Sequence, residues 1–130
     1  MNAAVLDTSA LIAFVFEEPG TDEVETWLDK GAAASSVVLQ ELLTRLLREG
    51  FDRGDADEAV ENLGLSLFDH TPELAAAAAN LYPVTRRFGL SHGDRSCLAL
   101  AAALGVPAVT ADREWASVGI ELGASVELIR

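Results

Sequence analysis

Four acidic side chains, far apart in a 130-residue chain, stand where a fold could gather them. Asp7 follows the apolar run from Ala3 to Leu6, Glu41 lies within a helical pattern, Asp94 opens another helix, and Asp112 closely follows the β-branched run Ala108-Val109-Thr110. Acids placed just past strands or at helix starts belong, in an open α/β sheet, on the edge where ligands bind. Two carboxylates about 4 Å apart repel by about 4 kcal/mol at an effective dielectric of ~20, so such a cluster needs protons or a cation. With no Cys or His at ligand spacing, an all-oxygen set selects Mg²⁺ or Mn²⁺. An ion of that kind can align a phosphodiester, supply a hydroxide-like nucleophile and offset charge on a leaving oxygen.

Each acid also has a plainer reading. Ser91-x-x-Asp94 fits a capping box, Asp112 fits an N-cap for a short helix over 113–117, and Asp7 can cap the helix after it, although Thr8 or Ser9 could do the same. Glu41 sits opposite a stripe of Leu39, Leu42, Leu43, Leu46 and Leu47, where an exposed pair with Arg45 at i+4 is the ordinary expectation. Val37 and Val38 read as lying one turn earlier on the same side as Glu41, which a wholly solvated face would not need.

The elements that must position these acids alternate along the chain. Ala3 to Leu6 predicts a strand and Ala10 to Phe16 a buried helix; Glu17 to Gly20 is a loop, and Thr21 caps a helix to Lys30. Ala32 to Ser35 is a second, alanine-rich strand, followed by a helix from Ser36 to Gly50. A turn over 51–54, an acidic helix from Asp55 to Leu63 and a strand from Leu65 to Phe68 follow. Thr71-Pro72 starts an alanine-rich helix to Leu81, which Pro83 kinks or breaks before Arg86-Arg87-Phe88. A helix with a nearly all-apolar stretch from Cys97 to Leu104 stops at Gly105-Val106-Pro107, the strand 108–110 comes next, and Ser125 to Ile129 is the last strand. The alternation predicts a single α/β domain over residues 1–130, with a five-stranded parallel sheet flanked by helices on both faces.

Composition narrows the field further. Half of the residues are apolar, enough for a real core, and no apolar run approaches the ~20 residues that span a bilayer. The N-terminus also lacks the basic start of a signal peptide, so a soluble cytoplasmic protein is expected. Cys97 reads as core, His70 as structural and His92 as a peripheral contact. A net charge of −12, from 9 basic and 21 acidic residues, opposes general nucleic-acid binding but not a nuclease whose acids face a cation. All but one of the basic residues are Arg, suited to forked phosphate contacts, and the overall acidity suits a basic partner.

Three segments carry a likeness: VLDTSALIAF near the start, SSVVLQELLTRL in the middle and LSHGDRSCLALAAALGVPAVTADREW near the end. In order and spacing they resemble the signature segments of PIN-domain nucleases, most of all the VapC-type toxins of toxin–antitoxin pairs. The resemblance implies a Mg²⁺- or Mn²⁺-dependent endoribonuclease whose acidic site is Asp7, Glu41, Asp94 and Asp112, with Ser9 and Thr110 as nearby hydroxyls and candidate substrate contacts. Asp7, Asp94 and Asp112 would hold the ion, the last directly or through water, and Glu41 would orient or deprotonate the attacking water. Many relatives carry a further acid where this chain has Trp115, so one ion is expected rather than two. The likeness also implies an RNA substrate, a small cognate antitoxin with a basic C-terminal segment, and a homodimer.

Two other classes compete. A receiver-type phospho-acceptor domain lacks its lysine here, the only one being Lys30, and no Gly-rich loop ending in Lys-Ser/Thr supports a P-loop enzyme. A catalytically idle PIN-like interaction module is the stronger alternative.

Overall fold

The computed structural model describes residues 2–130. Its strands are β1 (Ala4–Leu6), β2 (Ala32–Ser35), β3 (Ser66–Phe68), β4 (Ala108–Thr110) and β5 (Val126–Leu128). Between them lie α1 (Thr8–Val15), α2 (Thr21–Lys30), α3 (Ser36–Arg48), α4 (Arg53–Glu61), α5 (Pro72–Ala79), α6 (Tyr82–Thr85), α7 (His92–Leu104) and α8 (Trp115–Leu122), with a 3₁₀ turn at Arg86–Phe88. Every pairing is parallel, as the alternation predicts, and the sheet order is β3-β2-β1-β4-β5.

Successive strand side chains point to opposite faces, and Ala4, Val5 and Leu6 are all fully buried, so both faces of β1 are covered. The alanines of β2 are buried too, and they keep the sheet thin where α7 and α3 cross it. The chain leaves β1 for β2 and β3 on one side, then crosses to β4 on the other. A crevice therefore opens at the carboxyl ends of β1 and β4, where the direction of winding reverses. Asp7 and Asp112 both lie at that end of the sheet.

Several boundaries differ from the sequence reading. Gly20, at φ 98°, precedes α2 and caps it without a side chain, so Thr21 is the first helical residue rather than the cap. Asp52 caps α4 by accepting from the Asp55 backbone N–H at 2.8 Å, which starts that helix inside the expected turn. The alanine helix ends at Ala79, and Pro83 sits in the first turn of the separate α6, where its missing N–H is tolerated. The helix after Asp112 begins at Trp115, whose ring is fully buried, and extends to Leu122.

The buried face of α3 also turns relative to the reading above. Val38, Leu42 and Leu46 are fully buried at i, i+4 and i+8, while Leu47 is 45% exposed. Val38 belongs to the core face, and Val37 is half-buried beside His70 and His92 rather than in a cavity lined by Glu41. Leu46→Ala is expected to lower the unfolding free energy by about 2–5 kcal/mol through lost burial and a residual cavity. Leu47→Ala should change it by no more than about 0.5 kcal/mol, both read from urea denaturation.

Candidate active site

The site is built outward from Asp7, which is only 3% exposed. The parallel register pairs Leu6 with Val109, so the next residues, Asp7 and Thr110, emerge side by side. Thr110 Oγ1 donates to Asp7 Oδ2 at 2.6 Å, while Ser9 Oγ and the Ala10 backbone N–H donate to Asp7 Oδ1 at 2.7 and 2.9 Å. The same hydroxyls accept from the loop after β4: Ser9 Oγ from Ala111 N–H and Thr110 Oγ1 from Asp112 N–H, each at 3.0 Å. Asp7 is thus both the N-cap of α1 and the knot tying two strand ends together. Ser9 and Thr110 commit their protons to this carboxylate.

Burial pushes the Asp7 carboxyl up to about 6, against the opposing pull of the hydrogen bonds from Thr110, Ala10 and Ser9; the nearby Asp94 charge adds a smaller upward push.

The other acids keep an oxygen to spare. Asp94 forms the expected capping box, accepting from Ser91 N–H at 3.0 Å through Oδ2 while Ser91 Oγ accepts from Asp94 N–H at 3.2 Å. Asp112 caps no helix directly: its Oδ1 accepts from Glu114 N–H at 3.0 Å, a local turn that leads into α8. Glu41 does not pair with Arg45, which turns away to Glu49 at 2.8 Å; it accepts from Thr8 Oγ1 at 2.7 Å instead. Its carboxylate lies over Gly93, where an added Cβ would collide with it, so α3 and α7 meet through a glycine. Among the described residues, Asp94 Oδ1, Asp112 Oδ2 and Glu41 Oε2 accept no hydrogen bond.

All four acids line one cleft of about 370 Å³. Sequence reading did not place Thr8, Glu18 or Arg130 there. Thr8 was visible only as a rival cap. Glu18 is folded back by the left-handed Glu17, φ 53°, as its N–H donates to Ala13 O at 2.8 Å. Arg130 arrives from beyond β5 and donates to Pro19 O at 2.8 Å. No local pattern announces either of the last two, because each depends on how a loop turns. The histidines lie elsewhere, in a separate groove of about 600 Å³, where Arg95 Nη2 meets His92 Nδ1 at 3.1 Å.

Among the described residues no three His, Cys, Asp or Glu side chains are drawn together as a ready-made cage for a metal ion. The donors nonetheless fit a hard divalent ion in kind. They are all carboxylate oxygens, three with an unpartnered atom, beside a buried carboxyl whose charge the surroundings do not balance.

Residues 4–121 match the PIN domain family. The chain is also similar to solved structures over nearly its whole length. One is the DNA-bound VapBC of Salmonella typhimurium, with 20% identity, all of both chains covered and a TM-score of 0.77. Another is VapBC-5, a VapBC toxin–antitoxin system from Mycobacterium tuberculosis, with 27% identity, 98% of each chain covered and a TM-score of 0.64. A third is VapC20 of Mycobacterium tuberculosis, a sarcin-ricin-loop-cleaving toxin, with 18% identity, 89% of this chain and 95% of that chain covered, and a TM-score of 0.72. No curated protein sequence matches significantly. No helix among the described residues is long and apolar enough to cross a membrane.

The raised carboxyl of Asp7 links stability to pH. The folded chain keeps this proton up to about pH 6, whereas an unfolded carboxyl near 3.8 has already released it. The stabilisation from holding it is therefore complete below 3.8 and is lost as pH rises through about 6, a difference of about 3 kcal/mol. Without divalent ions, Asp7→Asn is expected to gain stability over the parent between pH 4 and 7. Urea titrations of the two proteins across that range check it.

Proposed function

The chain belongs to the PIN domain family, and from that premise we propose that it is a metal-dependent endoribonuclease acting as the toxin of a toxin–antitoxin pair. The observation that carries the reading is the meeting of Asp7, Glu41, Asp94 and Asp112 in one cleft at the switch point of the sheet. The likeness to VapC toxins, one of them named for cleaving the sarcin-ricin loop, supports the substrate class.

Asp7, Asp94 and Asp112 would hold one Mg²⁺ or Mn²⁺, which when bound supplies Lewis acidity toward a phosphodiester and lowers the pKa of water. The chain's own residues do the positioning. Ser9 and Thr110 fix the Asp7 carboxylate, so its direction is set before any ligand arrives. Thr8 fixes one oxygen of Glu41 and leaves the other to orient, and take a proton from, the attacking water. Gly93 keeps α7 close enough for Asp94 to share the cleft with Glu41.

A small antitoxin whose basic C-terminal segment enters this acidic cleft, and a homodimeric toxin, belong to the same proposal. The neighbours that are toxin–antitoxin complexes and the chain's net charge of −12 support it. The second reading, an idle PIN-like interaction module, is favoured by the lack of a ready-made metal cage among the described residues.

Purified protein is expected to cut RNA with Mg²⁺ or Mn²⁺ and to stop when EDTA removes them. Asp7→Asn should abolish cleavage while remaining folded by circular dichroism, and Glu41→Gln should slow it about 10²- to 10⁴-fold. RNA left intact by the metal-loaded parent protein favours the idle module. Equal cutting by Asp7→Asn places the activity outside this cleft.

A further inference from the structure

A second, smaller cavity of about 300 Å³ continues the acidic cleft along α3, sharing Thr8, Glu41 and Arg45 with it and adding Gln40, Thr44 and Arg48. This is the side of α3 that flanks the buried Val38-Leu42-Leu46 stripe. Every side chain lining the extension is polar, so it offers nothing to the apolar anchors by which peptides usually dock. It also concentrates cations on a chain that is otherwise strongly acidic. Arg45 spends its Nε on Glu49, which aims the guanidinium while leaving its terminal nitrogens for a ligand. Arg48 forms no ion pair among the described residues.

We infer that the RNA strand leaves the acidic cleft along this face of α3, with Arg45 and Arg48 holding successive backbone phosphates. The inference rests on the nuclease reading above and adds the direction in which the substrate runs. From Glu41 to Arg48 is about 10 Å of helix axis at 1.5 Å per residue, so Arg45 and Arg48 stand about one and two turns beyond the acid on one side of the helix. Forked guanidinium donors suit phosphate oxygens, and their contacts carry no base information, so this path sets polarity and affinity rather than sequence. Arg45 and Arg48 are positioning residues for the strand, not participants at the scissile bond.

The test uses the full chain carrying Asp7→Asn, which keeps the probe intact, and a fluorescein-labelled single-stranded RNA of about a dozen nucleotides of mixed sequence. Anisotropy titrations across a range of salt should show that adding Arg45→Gln and Arg48→Gln together weakens binding about tenfold or more. The slope of log affinity against log salt should fall by about 1.4, or about 0.7 per lost phosphate contact. Arg53→Gln, an exposed arginine on α4 paired with Asp57, serves as the control and should change neither. A DNA strand of the same sequence runs alongside: equal weakening supports phosphate holding, and weakening confined to DNA overturns an RNA path. Unchanged affinity and slope for RNA in the double variant also overturn it.

Cleavage of the same RNA by the Asp7 parent, with Mg²⁺, separates the two ideas. Cutting with arginine-independent binding sinks only the strand path, whereas arginine-dependent binding without cutting sinks only the nuclease reading.

Discussion

The structure turns on a single carboxylate that has been taken out of water. Asp7 is buried at the end of β1, and the desolvation that raises its pKa would on its own favour the proton. Two hydroxyls and one backbone N–H answer that penalty in part, and these same hydroxyls bind the backbone after β4. The crossover that brings β4 beside β1 is therefore locked by the group that most needs a counter-charge. Fold and site share one set of hydrogen bonds.

That sharing extends to the other acids and dissolves the opposition between capping and function. Asp94 completes a capping box and Asp112 holds a turn, yet each does so through one oxygen and keeps the other. A carboxylate has acceptor capacity for both tasks, and a helix N-terminus also favours negative charge. Local stabilisation here is the means by which each acid is held still. Glu41 differs: a residue brought from far along the chain, Thr8 on α1, fixes it, and its approach to α7 requires a residue without a side chain.

Much of this was legible in the amino-acid order. The five strands, their parallel pairing and the cap residues Ser91 and Thr71 follow from apolar runs and side-chain chemistry that act locally. Boundaries slipped where tertiary contacts decide: burial of Trp115 sets where α8 begins, and a left-handed glycine starts α2. The face of α3 was misjudged by one position because a run of leucines leaves its core side ambiguous until neighbours pack on it. Glu18 and Arg130 reach the cleft through a left-handed turn and the residues after β5, which meet only in three dimensions. Periodicity carries no trace of such meetings.

The margins of the sheet have their own consequence. Both edge strands, β3 and β5, are three residues long, and β5 places Glu127 at its middle. Stubs this brief present few unpaired amides to a foreign strand, and a charge at the centre of one opposes stacking with another copy. The exposed Leu67 on β3 is then a lone apolar side chain, without the length of template that fibril growth requires.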